Sequence, residues 1–203
     1  MNHLRLRAAN TISRRLVRYA LATLLALPLL CGAGAPAALP ADSLYRLAVP
    51  LTDSVGKQFD WSEMAGHAVL VTMFYGDCNT ACPIVLENLQ QTVAALKLPA
   101  ARLSVLMVSL DPLRDTPKSL AKLAQSHHLD PALFRMAVSS DDTHTRALAA
   151  ALRIKYRGLA GGEINHTTRI CLLDANGKVV ASSTELSTVP DAAFLAQLKA
   201  ALQ

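Results

Sequence analysis

Past residue 18 the sequence has no run of adjacent Lys and Arg. Five of its 20 basic groups (Arg5, Arg7, Arg14, Arg15 and Arg18) stand before residue 20, and the remaining 15 face 15 Asp and Glu, all from Asp42 onward. The formal net charge of +5 therefore belongs to the start of the chain. A nucleic-acid binder needs a basic patch, and none is offered outside that start. Internal repeats, low-complexity tracts and signs of a second folded domain are missing too. A chain of 203 residues then fits one domain of ordinary size with an added segment at an end. Such a domain can bury a core without disulfide support. Cysteine is scarce, four in all, and three of them (Cys78, Cys82 and Cys171) lie beyond the opening segment. Three is odd, so at least one thiol has no partner within the folded part.

The opening segment, residues 1–41, reads as export machinery. A basic stretch precedes the apolar run "YALATLLALPLL", and small residues follow in "CGAGAPAALPADS". Ala33-Gly34-Ala35 and Ala35-Pro36-Ala37 both provide the small-x-small spacing of a signal-peptidase site. The uncharged stretch 19–41 is also long enough to span a bilayer as an anchor. Its second half of Gly, Pro and Ala makes a poor spanning helix, which favours a cleaved signal. "SRRLVRY" resembles a twin-arginine export motif with Val17 where Phe is usual. Cys31 follows Leu30, a bulkier residue than lipid-attachment sites prefer, and reads as an inert part of the leader. Export to the periplasm would place the other cysteines in an oxidising compartment, where a thiol pair is oxidised unless kept reduced or metallated.

The folded part, 42–203, alternates strands and helices. Residues 44–56 read as a short strand and turn. "HAVLVTMFY" (67–75) is an uninterrupted apolar run that suits a central strand covered on both faces. "PIVLENLQQTVAALK" places Val85, Leu86, Leu89, Val93 and Leu96 at helical spacing. "RLSVLMVSLD" is a second buried strand ending on Asp111, and "TPKSLAKLAQSHH" a helix capped by Thr116 with Pro117 in its first position. "LFRMAVS" is a third strand, and "DDTHTRALAAALRI" a helix with Asp141 or Asp142 near its cap. "RICLLDANGKVVAS" is a hairpin around Asp174-Ala175-Asn176-Gly177, and a last helix covers 191–202. This order predicts an α/β fold of thioredoxin-like architecture, a central mixed sheet flanked by helices.

Cys78 and Cys82 fall where the first apolar strand gives way to a helix. Their i, i+4 separation puts two side chains one turn apart on one helical face. A helix N-terminus favours thiolates, which are both nucleophiles and soft metal ligands, and Pro83 suits the first turn. Two thiolates leave a metal site incomplete. His67 opens the first apolar strand at the end away from the cysteines, while His127, His128 and His144 read as ordinary helix-end groups. His166, in "GGEINHTTRICLLD", follows a Gly161-Gly162 turn and precedes the hairpin strand. In a thioredoxin-like fold that loop packs beside the first helix, so His166 can approach the thiols.

Three separated motifs, in order, resemble the SCO/SenC proteins, thioredoxin-fold copper-handling proteins linked to cytochrome c oxidase assembly. They are "FYGDCNTACP", like that family's C-x-x-x-C-P segment; "VSLDPLRDTP", like S-x-D-P-x-R-D-T-P; and "NHTTRICLLDANGKVV", like H-[ST]-x-x-x-x-L-[LI]-D-x-x-G. The resemblance covers about residues 44–203. It implies copper, as Cu(I), Cu(II) or both, held by Cys78, Cys82 and His166. It implies as partners a copper-containing oxidase subunit and, as a second candidate, another copper chaperone. It also implies a thiol–disulfide role in which Cys78 and Cys82 cycle between dithiol and disulfide while reducing the client's cysteines. Asp111, Arg114 and Asp115 read as a local turn and ion-pair network, with a role for Asp111 beside the metal as the alternative. The chain departs from the family in having Gly76-Asp77 before the first cysteine and a short loop before His166. Asp77 adds a charge beside the thiols that could raise their pKa or favour a cation. Cys171 reads as a small buried hydrophobe.

The expected function is thus that of a periplasmic copper metallochaperone. A competing reading is a periplasmic thiol–disulfide oxidoreductase or redox sensor that uses the same pair without copper, in which His166 is dispensable. No motif beyond the fold supports peroxide chemistry. A purely structural Cys78–Cys82 bridge would close so short a loop that it contributes about 2 kcal/mol or less, which argues against a staple.

Overall fold

The computed structural model describes residues 38–203. The expected export segment at 1–41, with Cys31 and both candidate cleavage sites, lies outside the described residues but for its last four positions. Among the described residues no helix is long and apolar enough to cross a membrane.

Every side chain of β3 (Ala68–Phe74) but the first is buried, and the strand divides its apolar groups between two cores. Leu70 and Phe74 face one side; Val69, Val71 and Met73 face the other, as a period of two requires. β4 (Leu103–Ser109) repeats the pattern, with Val105 and Met107 on the first side and Leu106 and Val108 on the second. β3 pairs in parallel with β4, and β4 with β5 (Phe134–Ser139). The crossovers are α1 (Ala81–Leu96) and α2 (Pro117–Ser126). Both steps move the chain in the same direction across the sheet, so right-handed connections put both helices on one face. Leu86 and Leu89 of α1 and Leu120 of α2 accordingly share a core with Phe74. Leu148 and Ala149 of α3 (Asp142–Ala151) cover the opposite face.

Antiparallel strands flank the parallel centre. β1 (Pro50–Asp53) pairs with β5 and with β2 (Gln58–Asp60), and β8 (Ile170–Leu173) pairs with β3 and with β9 (Val179–Ser183). The seven-stranded order is β2-β1-β5-β4-β3-β8-β9. α4 (Ala192–Ala201) adds Phe194 and Leu198 to the first core. The expected mixed sheet flanked by helices is therefore what the chain forms. Several expected caps are also in place: Thr116 accepts from the Ser119 N–H with Pro117 opening α2, and Asp141 caps α3.

Two elements differ from expectation. The first segment turns back after β1 and adds β2 as an edge strand. Residues read as a loop before the final hairpin form a separate two-stranded ribbon, β6 (Tyr156–Gly158) and β7 (Ile164–His166), joined by a 3-10 turn at Ala160–Gly162. Its residues are exposed or half-buried, so the ribbon lacks the apolar alternation that marks a strand in a sequence.

Candidate metal centre

The site grows from the end of β3. After Phe74 the chain leaves the sheet, and the Cys78 N–H donates to the Tyr75 carbonyl (3.2 Å), which closes a turn. Cys82 sits in the first turn of α1, whereas Cys78 precedes the helix by three residues, so the pair is not carried on one helical face. The turn instead folds Cys78 back over the helix start. Thr80 stands at the cap position without a side-chain cap bond, and the Cys82 N–H donates to Cys78 Sγ at 3.3 Å. The sulfur of Cys78 thus accepts from the open end of α1, where unpaired N–H groups and the helix dipole favour negative charge.

These surroundings divide the two thiols. Burial pushes Cys78 up, but the Cys82 thiol and the N–H groups of Cys82, Thr80 and Ala81 pull it further down, to a net value below the ordinary thiol range. Burial pushes Cys82 strongly up, reinforced by its hydrogen bond to Cys78. Its own Sγ–H also donates to the Tyr75 carbonyl at 3.8 Å. Both cysteines are buried, at 7 % and 4 % exposure, and both are free thiols. Of the two thiols, Cys78 is thus the one whose surroundings favour the thiolate, and Cys82 the one that holds its proton.

His166 ends β7 and lines, with Cys78, a groove of about 330 Å³. Tyr75 meets its ring edge-to-face, with centroids 6.0 Å apart. Nδ1 lies 3.3 Å from the Thr167 carbonyl, which can only accept, so Nδ1 carries the proton and Nε2 keeps its lone pair. Burial holds the imidazole below its ordinary pKa, with the Thr167 contact opposing. A neutral imidazole with a fixed tautomer is the form that ligates.

Ligand atoms of Cys78, Cys82 and His166 all lie within 4.8 Å of one another. Two thiol sulfurs and an imidazole nitrogen form a soft donor set, and the cluster could hold a metal ion. The other histidines among the described residues stand elsewhere. His67 hydrogen-bonds Ser104 at the far end of β3, His127 caps the end of α2, and His144 pairs with Asp141. Asp111 is outside the three-donor cluster and pairs with Arg114. Asp77 is exposed on the groove's rim, where its charge helps to raise the carboxyl of Asp115, chiefly pushed up by burial. Cys171 is buried in β8. The sequence reading missed Tyr75, which supplies both an acceptor for Cys82 and a wall for His166. Its position three residues before Cys78 was the available signal.

A family profile described as SCO1/SenC matches residues 44–203. The chain belongs to the SCO1/SenC family. Among proteins similar to this SCO1/SenC chain is an SCO2-like protein of Rickettsia typhi, 24 % identical over 139 residues. That alignment covers 66 % of this chain, and the chain spans 66 % of the Rickettsia protein's own length. Among solved structures, Bradyrhizobium japonicum ScoI with copper bound superposes with a TM-score of 0.62 at 24 % identity, covering 76 % of this chain and 98 % of that one. A structure of BsSco, described as a member of the Sco family of cytochrome c oxidase assembly proteins in which a disulfide switch was identified, matches with a TM-score of 0.61 at 19 % identity. It covers 76 % of this SCO1/SenC chain and 91 % of BsSco. At these identities the superpositions show a shared fold.

Proposed function

We propose that this SCO1/SenC chain is an exported copper-binding metallochaperone. In this reading it carries copper on Cys78, Cys82 and His166 and assists assembly of the copper site of a haem–copper oxidase. The observation that carries the proposal is the convergence of three donors, from residues 78, 82 and 166, within 4.8 Å. Two sulfurs suit Cu(I), and the imidazole extends the set toward Cu(II). Residues 42–203 form the working domain, and 1–41 the signal or anchor that directs it to the periplasm. The copper-bound ScoI structure and the oxidase-assembly description of BsSco support the choice of metal and client.

The cargo must be held and then released. A three-donor set with one ligand on an outlying ribbon does both, because the shell stays incomplete and one arm lies outside the main sheet. Titration of the reduced protein with Cu(I) is expected to stop at one copper per chain, and His166→Ala is expected to weaken uptake severely. An affinity unchanged by His166→Ala would sink the three-ligand site.

A second reading rests on the division between the thiols. The Cys78 thiolate would attack a client disulfide and release one client thiolate, leaving a mixed disulfide. Cys82 would then attack Cys78 Sγ, releasing the second client thiol with two electrons transferred and Cys78–Cys82 oxidised. An external dithiol would have to restore the pair. This chemistry fits the same residues and needs no His166. Client reduction by the His166→Ala protein at an undiminished rate would separate it from copper delivery.

A further inference from the structure

The two halves of the centre come from parts of the chain far apart in sequence, and one short segment between them touches both. The turn after β4 begins at Ser109, whose hydroxyl accepts from the Asp111 N–H at 2.9 Å. Two consecutive residues of that turn then reach in different directions. Asp115 Oδ2 accepts the Gly76 N–H at 2.9 Å, two positions before Cys78, and the same oxygen accepts from the Ser109 hydroxyl. Arg114 donates through Nε to Asp111 and through a terminal nitrogen to the Gly162 carbonyl, in the turn of the His166 ribbon.

The glycines at the two contacts show how close these side chains lie. A Cβ on Gly76 would run into the Asp115 carboxylate, and a Cβ on Gly162 into the Arg114 guanidinium. Gly162 also has φ of +87°, which side chains rarely adopt. The residue before Asp77 must therefore leave room for a carboxylate, as Gly76 does. The Arg114–Asp111 pair is a weak source of fold stability. Arg114 is 43 % exposed, and exposed pairs contribute about 0–1 kcal/mol. What its geometry does supply is a fixed fork, with one arm on the turn and one on the ribbon.

We propose that Arg114 and Asp115 are positioning residues that hold the histidine ribbon and the cysteine loop in register across the metal groove. Asp115 acts on the thiol side and Arg114 on the imidazole side, and neither touches the metal. The inference rests on the copper reading given above. Hydrogen-bond partners of the ligands themselves typically change metal affinity by about tenfold to a hundredfold when removed, and Arg114 and Asp115 act one step further out, on the segments that carry the ligands.

The test is a set of Cu(I) affinities measured by competition on the reduced full chain, alongside the metal-free alkylation rate of Cys78. Arg114→Ala and Asp115→Ala are each expected to lower copper affinity by about tenfold to a hundredfold with thermal unfolding still cooperative. In a His166→Ala background, Arg114→Ala is expected to add nothing, while Asp115→Ala keeps its effect. Without metal, Asp115→Ala is expected to alter Cys78 alkylation and Arg114→Ala to leave it alone. Arg114→Lys and Asp115→Asn guard against simple misfolding. Lys keeps the charge but lacks the fork, so it is expected to fall with Ala. The proposal is overturned if Arg114→Ala binds copper as tightly as the unaltered chain, if its cost persists without His166, or if Arg114→Lys is fully competent. Failure of the unaltered chain to bind copper would instead count against the function, and the alkylation measurement would still judge the Asp115 arm.

Discussion

The cysteine loop and the histidine ribbon supply one site but are built in opposite ways. Cys78 sits between β3 and α1 and Cys82 in the first turn of α1, a helix whose Val85, Leu86 and Leu89 share a core with Phe74. Moving either sulfur means disturbing the centre of the domain. His166 stands on a ribbon outside the seven-stranded sheet, with exposed and half-buried residues and few core groups behind it. Local opening is cheapest where buried apolar contacts are fewest, so the imidazole side is the part able to move. In the copper-carrier reading proposed above, this asymmetry leaves two soft ligands in place while the third can leave.

The asymmetry breaks first at the ligands. Cys82→Ser is expected to abolish measurable Cu(I) uptake, whereas His166→Ala is expected to leave weak residual binding on the two sulfurs. Competition titrations against a Cu(I) chelator would read both. Equal and complete loss from the two variants would show that the ribbon is as indispensable as the core-built pair.

The next largest effect is on stability. Leu86 is fully buried beneath the cysteine loop, and Leu86→Ala is expected to cost about 2–5 kcal/mol. Ile164, half-buried on β7, is expected to cost well under half of that on truncation to Ala. Denaturant unfolding of the two variants measures the difference. Comparable costs would mean that the ribbon is bound into the same cooperative unit as the cysteine loop.

How much of this was legible beforehand follows the same division. The run 67–75 declared a central strand because its two faces both find cores, and Thr116-Pro117 announced the start of α2 because capping is local chemistry. Cys78 and Cys82 stood out by type and spacing, although the turn that folds Cys78 outside the helix and over its N-terminus did not. His166 could be singled out because the strand order brings the segment before β8 next to the end of β3. The ribbon was invisible, since "YRGLAGGEINH" has neither alternation nor burial to show. Asp111, Arg114 and Asp115 were readable as a turn network. That two of them reach Gly76 and Gly162 depends on side-chain directions that spacing does not encode.

Titration sharpens the contrast within the pair. Alkylation of Cys78 is expected to reach half its maximal rate below the value of about 8.5 typical of a free thiol, with Cys82 unreactive through that range. Because the folded state lowers the Cys78 pKa, its stabilising contribution is present above the unfolded value and is lost as pH falls through the folded one. His166 has the same sign. Its pKa is also lowered, so protonation favours the unfolded chain and stability is lost as pH drops below about 6.5. Denaturation of the reduced, metal-free protein is therefore expected to show stability rising with pH through the His166 window, whereas in the thiol window the gain from Cys78 is opposed by Cys82 and Cys171, whose pKa values burial raises. Cys78→Ser is expected to remove that gain and leave stability falling with pH in the thiol window. A half-point for Cys78 at or above the free-thiol value would remove the distinction between the two sulfurs.

The smallest effect belongs to the third thiol. Cys171 is buried at 1 % exposure, yet it belongs to the core on the opposite face of the sheet from Cys78 and Cys82. It stands opposite Val71 of β3 and Ser182 of β9 in the strand register. The sheet itself then separates it from the metal groove, and its role is to fill space. Cys171→Ala is expected to lower stability by about 1 kcal/mol, in the usual range for a modest core truncation. Copper stoichiometry and affinity should stay as in the unaltered chain. Urea unfolding and a parallel copper titration read the two quantities on one sample. A change in affinity without a change in stoichiometry would mean that packing behind β3 reaches the ligands through the strand, and the cysteine loop would then be less insulated than its burial implies.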